Sequence, residues 1–223
     1  MDSTLLLQPN LYPRVTPAGA YYAVSNKGQS ASRTLLGGIL QAGEQETVSR
    51  ENVLRWAQTN DIDAALNLLY RMQRLEFLYG EDEPDKKTDL LSGTGLPNIL
   101  MHLSDVQKAL LVDQDGFYFS SSGFNHEAAE EIAVLASEAV RLYEQHSLLI
   151  KNNLNIYHNA VGICDPSGQS ELTFFPLYIG DLKFILVTGG VPQLHKDEFV
   201  SLVRALYQIV DSARSEEHTS ELQ

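Results

Sequence analysis

One cysteine, Cys164, and one tryptophan, Trp56, stand among 223 residues. A lone thiol excludes an internal disulfide framework. Basic side chains are scarce as well: 16 Lys and Arg face 29 Asp and Glu, a formal net charge of −13. No apolar run approaches the roughly 20 residues that cross a bilayer, which argues against membrane insertion. The opening MDSTLLLQP carries an acid where a secretory leader would carry Lys or Arg, so a cytoplasmic protein is expected. Phosphate loops are missing too. Gly189-Gly190 has neither GxGxxG nor GxxxxGK around it, and reads as a turn rather than an anion cradle. His102, His126, His146, His158 and His195 show no HxH or HxxxH spacing, and Cys164 has no histidine at a motif-like offset. The expectation is a protein without a metal, cofactor or catalytic constellation.

What is present is an ordinary globular composition, 43% hydrophobic and 20% charged, long enough for one core or two small ones. The charge is uneven. Residues 1–80 hold 7 basic and 7 acidic side chains, whereas residues 90–213 hold 6 and 14. A phosphate backbone would be repelled by the second half. Between the halves, EDEPDKKTD (residues 81–89) contains Pro84 and no apolar residue, so residues 81–90 read as an acidic linker. The last ten residues, RSEEHTSELQ (214–223), look like translated sequencing adapter and are expected to add nothing to the fold.

The one sequence with the look of a metal loop is VDQDG, at Val112 to Gly116. If Asp113 and Asp115 were the third and fifth positions of a calcium loop, Leu111 would occupy the first and Ser122 the twelfth. Two obligatory oxygen ligands would then be absent or weak. Asp-Gly between alternating apolar runs is instead a hairpin turn.

Periodicity divides residues 1–80 into a short strand, AYYAV at Ala20 to Val24, and three helices. The first helix carries Leu35, Leu36, Ile39 and Leu40. A second starts behind Ser49 with Val53, Leu54 and Trp56. A third starts at Asn60 or Asp61 and carries Ile62, Ala65, Leu66, Leu69, Met72 and Leu75. With EFLYG (76–80) as a closing strand, the order resembles a small winged-helix domain. In a DNA-binding reading, Asp61 and Asp63 would present the wrong sign to phosphates at the head of the third helix, whereas Arg50, Arg55, Arg71 and Arg74 keep the idea open.

Residues 91–213 read differently. A short helix over 96–103 has Pro97 in its first turn. Strands over 108–113 and 117–121 follow, then one long helix over 124–151 capped by Asn125. Strands over 155–164, 171–179 and 182–188 are separated by DPSG (165–168) and Gly180-Asp181, and a helix from about Leu194 presents Phe199, Leu202, Val203, Leu206 and Val210 on one face. The order αββαβββα requires an α+β fold, a five-stranded antiparallel sheet with helices packed on it.

That order, the VDQDGFYFSSSG hairpin, the Ala- and Glu-rich long helix and the closing LKFILVTGG together resemble the Roadblock / dynein light chain family. The resemblance implies a non-enzymatic dimeric adaptor or regulator of a small Ras-like GTPase, two copies pairing through the long helix and the strand after it. The alternative is a transcriptional regulator that reads DNA with residues 1–80 and dimerises through the rest.

Two apolar stripes run along the long helix. Ile132, Leu135, Ala139, Leu142 and Leu149 are expected to cover the sheet. Ala129, Ala133, Ala136, Val140 and Tyr143 are then left for a second copy, together with Ile156, His158 and Ala160 of the following strand. By the family analogy, Glu127, Glu130, Glu131, Glu138 and Glu144 would meet basic residues of a GTPase.

Overall fold

A computed structural model describes residues 6–43, 45–84, 90–91 and 93–220, the side chains of 216–220 excepted. Residues 85–89, the middle of the expected linker, and the final three residues lie outside the described part. The chain divides into two compact units: the described residues of Met1–Val24, Gly28–Leu90 and Val203–Gln223, and those of Ser25–Lys27 and Leu91–Leu202.

The first unit begins with β1 (Tyr12–Val15) and ends its N-terminal stretch with β2 (Leu78–Glu81). The two pair antiparallel, Tyr12 opposite Glu81 and Val15 opposite Leu78. Between them lie α1 (Pro17–Val24), α2 (Ala31–Ala42), α3 (Arg50–Ala57) and α4 (Ile62–Arg74). AYYAV is therefore helical where a strand was expected. Thr16 accepts the Gly19 amide through Oγ1 at 3.2 Å and Pro17 supplies the fixed φ of a first helical position, so a cap decides what five apolar residues leave ambiguous. Ser30, Ser49 and Asp61 cap the next three helices with their side-chain oxygens. Trp56 is buried where α2 crosses α3, and Gly38 makes that crossing possible: a Cβ there would sit 2.7 Å from the Trp56 backbone. Leu75, expected on the apolar stripe of α4, is half exposed at its end.

The second unit runs α5 (Gly95–His102), β3 (Ala109–Val112), β4 (Tyr118–Ser122), α6 (His126–Leu154), β5 (Val161–Cys164), β6 (Ser170–Ile179), β7 (Leu182–Gly189) and then α7 (Asp197–Ser220). The five strands form one antiparallel sheet in the order β4-β3-β7-β6-β5. This is the expected α+β architecture and element order. All four residues of β3 are buried, so both faces of the sheet are covered at its middle.

Two boundaries moved. The long helix continues to Leu154, and Asn155 closes it in the left-handed region (φ 55), which shortens the expected strand 155–164 to four residues. Helix α7 continues through residues 214–220, where the terminal stretch was expected to stand outside the fold: no Gly or Pro follows Ala213 to stop it. Its residues from Val203 onward belong to the first unit, not the second as the sequence suggested.

Candidate functional site

The face that the long helix leaves exposed is not the expected one. Ala129, Ala133, Ala136 and Val140 are buried against Leu110, Val112, Phe174, Ile185 and Val187 of the sheet. They are core residues and unavailable to a second copy. The reason is steric: alanines bring the helix axis close to strands that already carry large side chains, so the small stripe turns inward. The larger side chains face water. Leu135 is 42% exposed, Leu142 58% and Leu149 62%, at a seven-residue spacing that keeps them on one line of the helix. Ile132 and Ala139, expected with them, are partly buried beside the core.

The remaining expected interface residues lie where α6 ends and β5 begins. Tyr143 is half-buried and donates its hydroxyl hydrogen bond to the His158 carbonyl, tying the segment after the helix back to it. Ile156 and His158 are exposed and Ala160 is intermediate. Beyond them β5 bonds to β6 alone, so one side of its backbone has no strand partner among the described residues. Ile163, 40% exposed, sits on this edge.

The five acids of α6 fall into three groups. Glu144 is committed inside the unit: Tyr178 donates to its Oε1 at 2.6 Å and Lys183 Nζ to its Oε2 at 3.0 Å. Burial first, and then the Glu144 carboxylate, push the Tyr178 hydroxyl pKa well above its ordinary value. Glu130 faces His126 Nε2 at 3.4 Å, and the other ring nitrogen of His126 takes the Tyr118 hydroxyl at 2.7 Å. Glu127, Glu131 and Glu138 point to solvent. Nothing in the sequence distinguishes Glu144 from the others, because Tyr178 and Lys183 meet it only through the sheet.

VDQDG is a turn in which the acid serves the backbone. Asp113 Oδ1 accepts the amides of Asp115 at 2.9 Å and Phe117 at 3.0 Å, and Gly116 takes a positive φ of 88°. A Cβ at Gly116 would lie 3.3 Å from Ser137 Oγ, so the turn rests on α6. DPSG repeats the device: Asp165 Oδ1 accepts from the amides of Ser167 and Gln169 and from the Ser167 hydroxyl. Gly189-Gly190 is likewise structural. The Gly190 amide bonds to the Glu171 carbonyl at 2.9 Å, and α7 starts only at Asp197. Among the described residues no group of three His, Cys, Asp or Glu side chains is arranged to hold a metal, and no helix is long and apolar enough to cross a membrane.

In the first unit the acids at the head of α4 have a local role. The Asp61 carboxylate caps the helix by accepting the amides of Asp63 and Ala64 at 3.0 and 3.1 Å. Arg55 forms an ion pair with Glu46. Arg50, Arg71 and Arg74 are exposed.

Comparison with known proteins adds a family. Residues 99–155, from the second turn of α5 to the end of α6, match the Roadblock/LC7 domain. A crystal structure of a Roadblock/LC7 domain from Streptomyces avermitilis is similar at 16% identity and a TM-score of 0.34, over 54% of this chain and 92% of that one. No curated protein matches. Within the second unit, residues 99–155 therefore carry the likeness to the Roadblock/LC7 domain, and domains of that family are small adaptors or regulators.

Proposed function

We propose that this chain is a dimeric, non-enzymatic adaptor that regulates or tethers a small Ras-like GTPase, with its Roadblock/LC7 domain as the platform. One observation carries the reading: α6 leaves Leu135, Leu142 and Leu149 in water, and β5, the strand that follows it, has one edge without a strand partner among the described residues. An exposed apolar line and an open strand edge both have the physical character of an interface, since both defects are removed when a second copy supplies a helix and a strand. The surface that two copies use is then Leu135, Leu142, Leu149, Ile156 and Ile163, in place of the alanine stripe. Glu127, Glu131 and Glu138 remain exposed on the same helix, and they favour a partner with a basic face through faster association more than tighter binding.

The test is nucleotide-dependent retention. Small GTPases from the native host, loaded with GDP or with a non-hydrolysable GTP analogue, are passed over the immobilised chain, and hydrolysis of any retained GTPase is followed with and without it. Retention that depends on the nucleotide is the expected result. No GTPase retained in either state would overturn the reading, and salt-sensitive binding of duplex DNA by the full chain in its place would favour the transcriptional alternative.

A further inference from the structure

The turn after β3 and the first half of α6 enclose an open groove of about 500 Å³. Its walls are apolar. Phe117, 72% exposed, stands on the turn, and Val134, 56% exposed, stands on the helix across from it. Around them lie three acids, Asp115, Glu130 and Glu138, and among the described residues no Lys or Arg lines the groove. Asp115 and Glu138 are exposed, and Glu130 pairs with His126 at 3.4 Å.

The groove is also held in shape before anything binds. The Asp113 carboxylate fixes the turn through two amides, and Gly116 packs on Ser137, whose hydroxyl bonds to the Ala133 carbonyl at 2.9 Å. A preformed site loses little to ordering when it is filled. It lies on the β4 side of the sheet, and β5 is at the opposite edge.

We propose that this groove docks a short cationic segment of a partner protein. One apolar or aromatic side chain of that segment sits between Phe117 and Val134, and flanking Lys or Arg side chains face Asp115, Glu130 and Glu138. Charge selects this occupant. An acidic rim repels nucleic acid and anionic lipid surfaces. The groove's three acids call for basic side chains, of which residues 90–213 hold 6 against 14 acids, so a second copy is the poorer occupant of this groove. The proposal rests on the adaptor reading for its purpose alone; its test uses peptides, so either can fail while the other stands.

The experiment titrates the isotopically labelled full chain with a synthetic peptide that alternates Arg and Leu around one central Phe, and with its counterpart carrying Glu for every Arg. Amide shifts confined to residues 115–118 and 130–138 are expected for the first peptide only. Phe117→Ser and Glu138→Lys should each weaken binding roughly tenfold, as removal of an anchor or a facing charge does. Glu171→Lys, an exposed acid on β6, should change it by less than about twofold. Absence of binding at low salt, shifts spread over the other acids, equal binding of the acidic peptide, or equal loss in Glu171→Lys would overturn the proposal. A change of sedimentation mass in Phe117→Ser would overturn it as well, by making the groove a contact between copies.

Discussion

Single polar side chains carry more of this fold than their number suggests. Ser104 is 3% exposed, donates to the Gly189 carbonyl at 2.7 Å and accepts the amides of Val106 and Lys108, so one hydroxyl ties the end of β7 to the approach of β3. Ser104→Ala leaves those groups unsatisfied and should lower stability by about 1–3 kcal/mol, read from denaturant midpoints. At Gly190 a Cβ would lie 2.4 Å from Asp105 Oδ1 and φ is 63°, so Gly190→Ala should also destabilise, by more than about 1 kcal/mol. Asp165 supplies a pH dependence. The Ser167 hydroxyl and then the Gln169 amide hold its pKa below the ordinary 3.8. A depressed carboxylate contributes stability that is complete above the unfolded value and is lost as pH falls through the lower folded value. Carbon-detected titration should therefore find Asp165 titrating below 3.8, and in Ser167→Ala its pKa should return toward that value.

At the scale of elements, order and type were legible in the second unit but not at AYYAV in the first, and the inward face of the long helix was not legible either. Caps at Ser49, Asp61 and Asn125 stood at their helix starts, and Asp-Gly and Pro-Ser-Gly turns marked the hairpins. Each is a local signal, decided within a few residues. Which stripe of α6 turns inward depends instead on how much room Leu110, Phe174 and Ile185 leave above the sheet, and strands distant in sequence set that room. Apolar size alone pointed to Leu135 and Leu142, but the alanines lie inside. Glu144 was illegible for the same reason, since its partners come from β6 and β7. The corrected faces make a paired prediction. Ala136→Glu places a charge in the core and should cost on the order of 3 kcal/mol or more, whereas Leu142→Glu, on a residue 58% exposed, should leave the thermal midpoint of the isolated subunit nearly unchanged.

For the whole molecule, two compact units share one chain, and the acid lies mostly in the half in which residues 99–155 match the Roadblock/LC7 domain. The function proposed for it depends on that domain pairing through the outward leucines of α6 and the edge of β5. Sedimentation equilibrium tests this most directly, applied to the unaltered chain and to Leu135→Glu combined with Leu142→Glu. The account predicts twice the monomer mass for the first and the monomer mass for the second, with the far-ultraviolet circular dichroism of both alike. A monomeric unaltered chain, or a doubly substituted chain that keeps the paired mass, would contradict it.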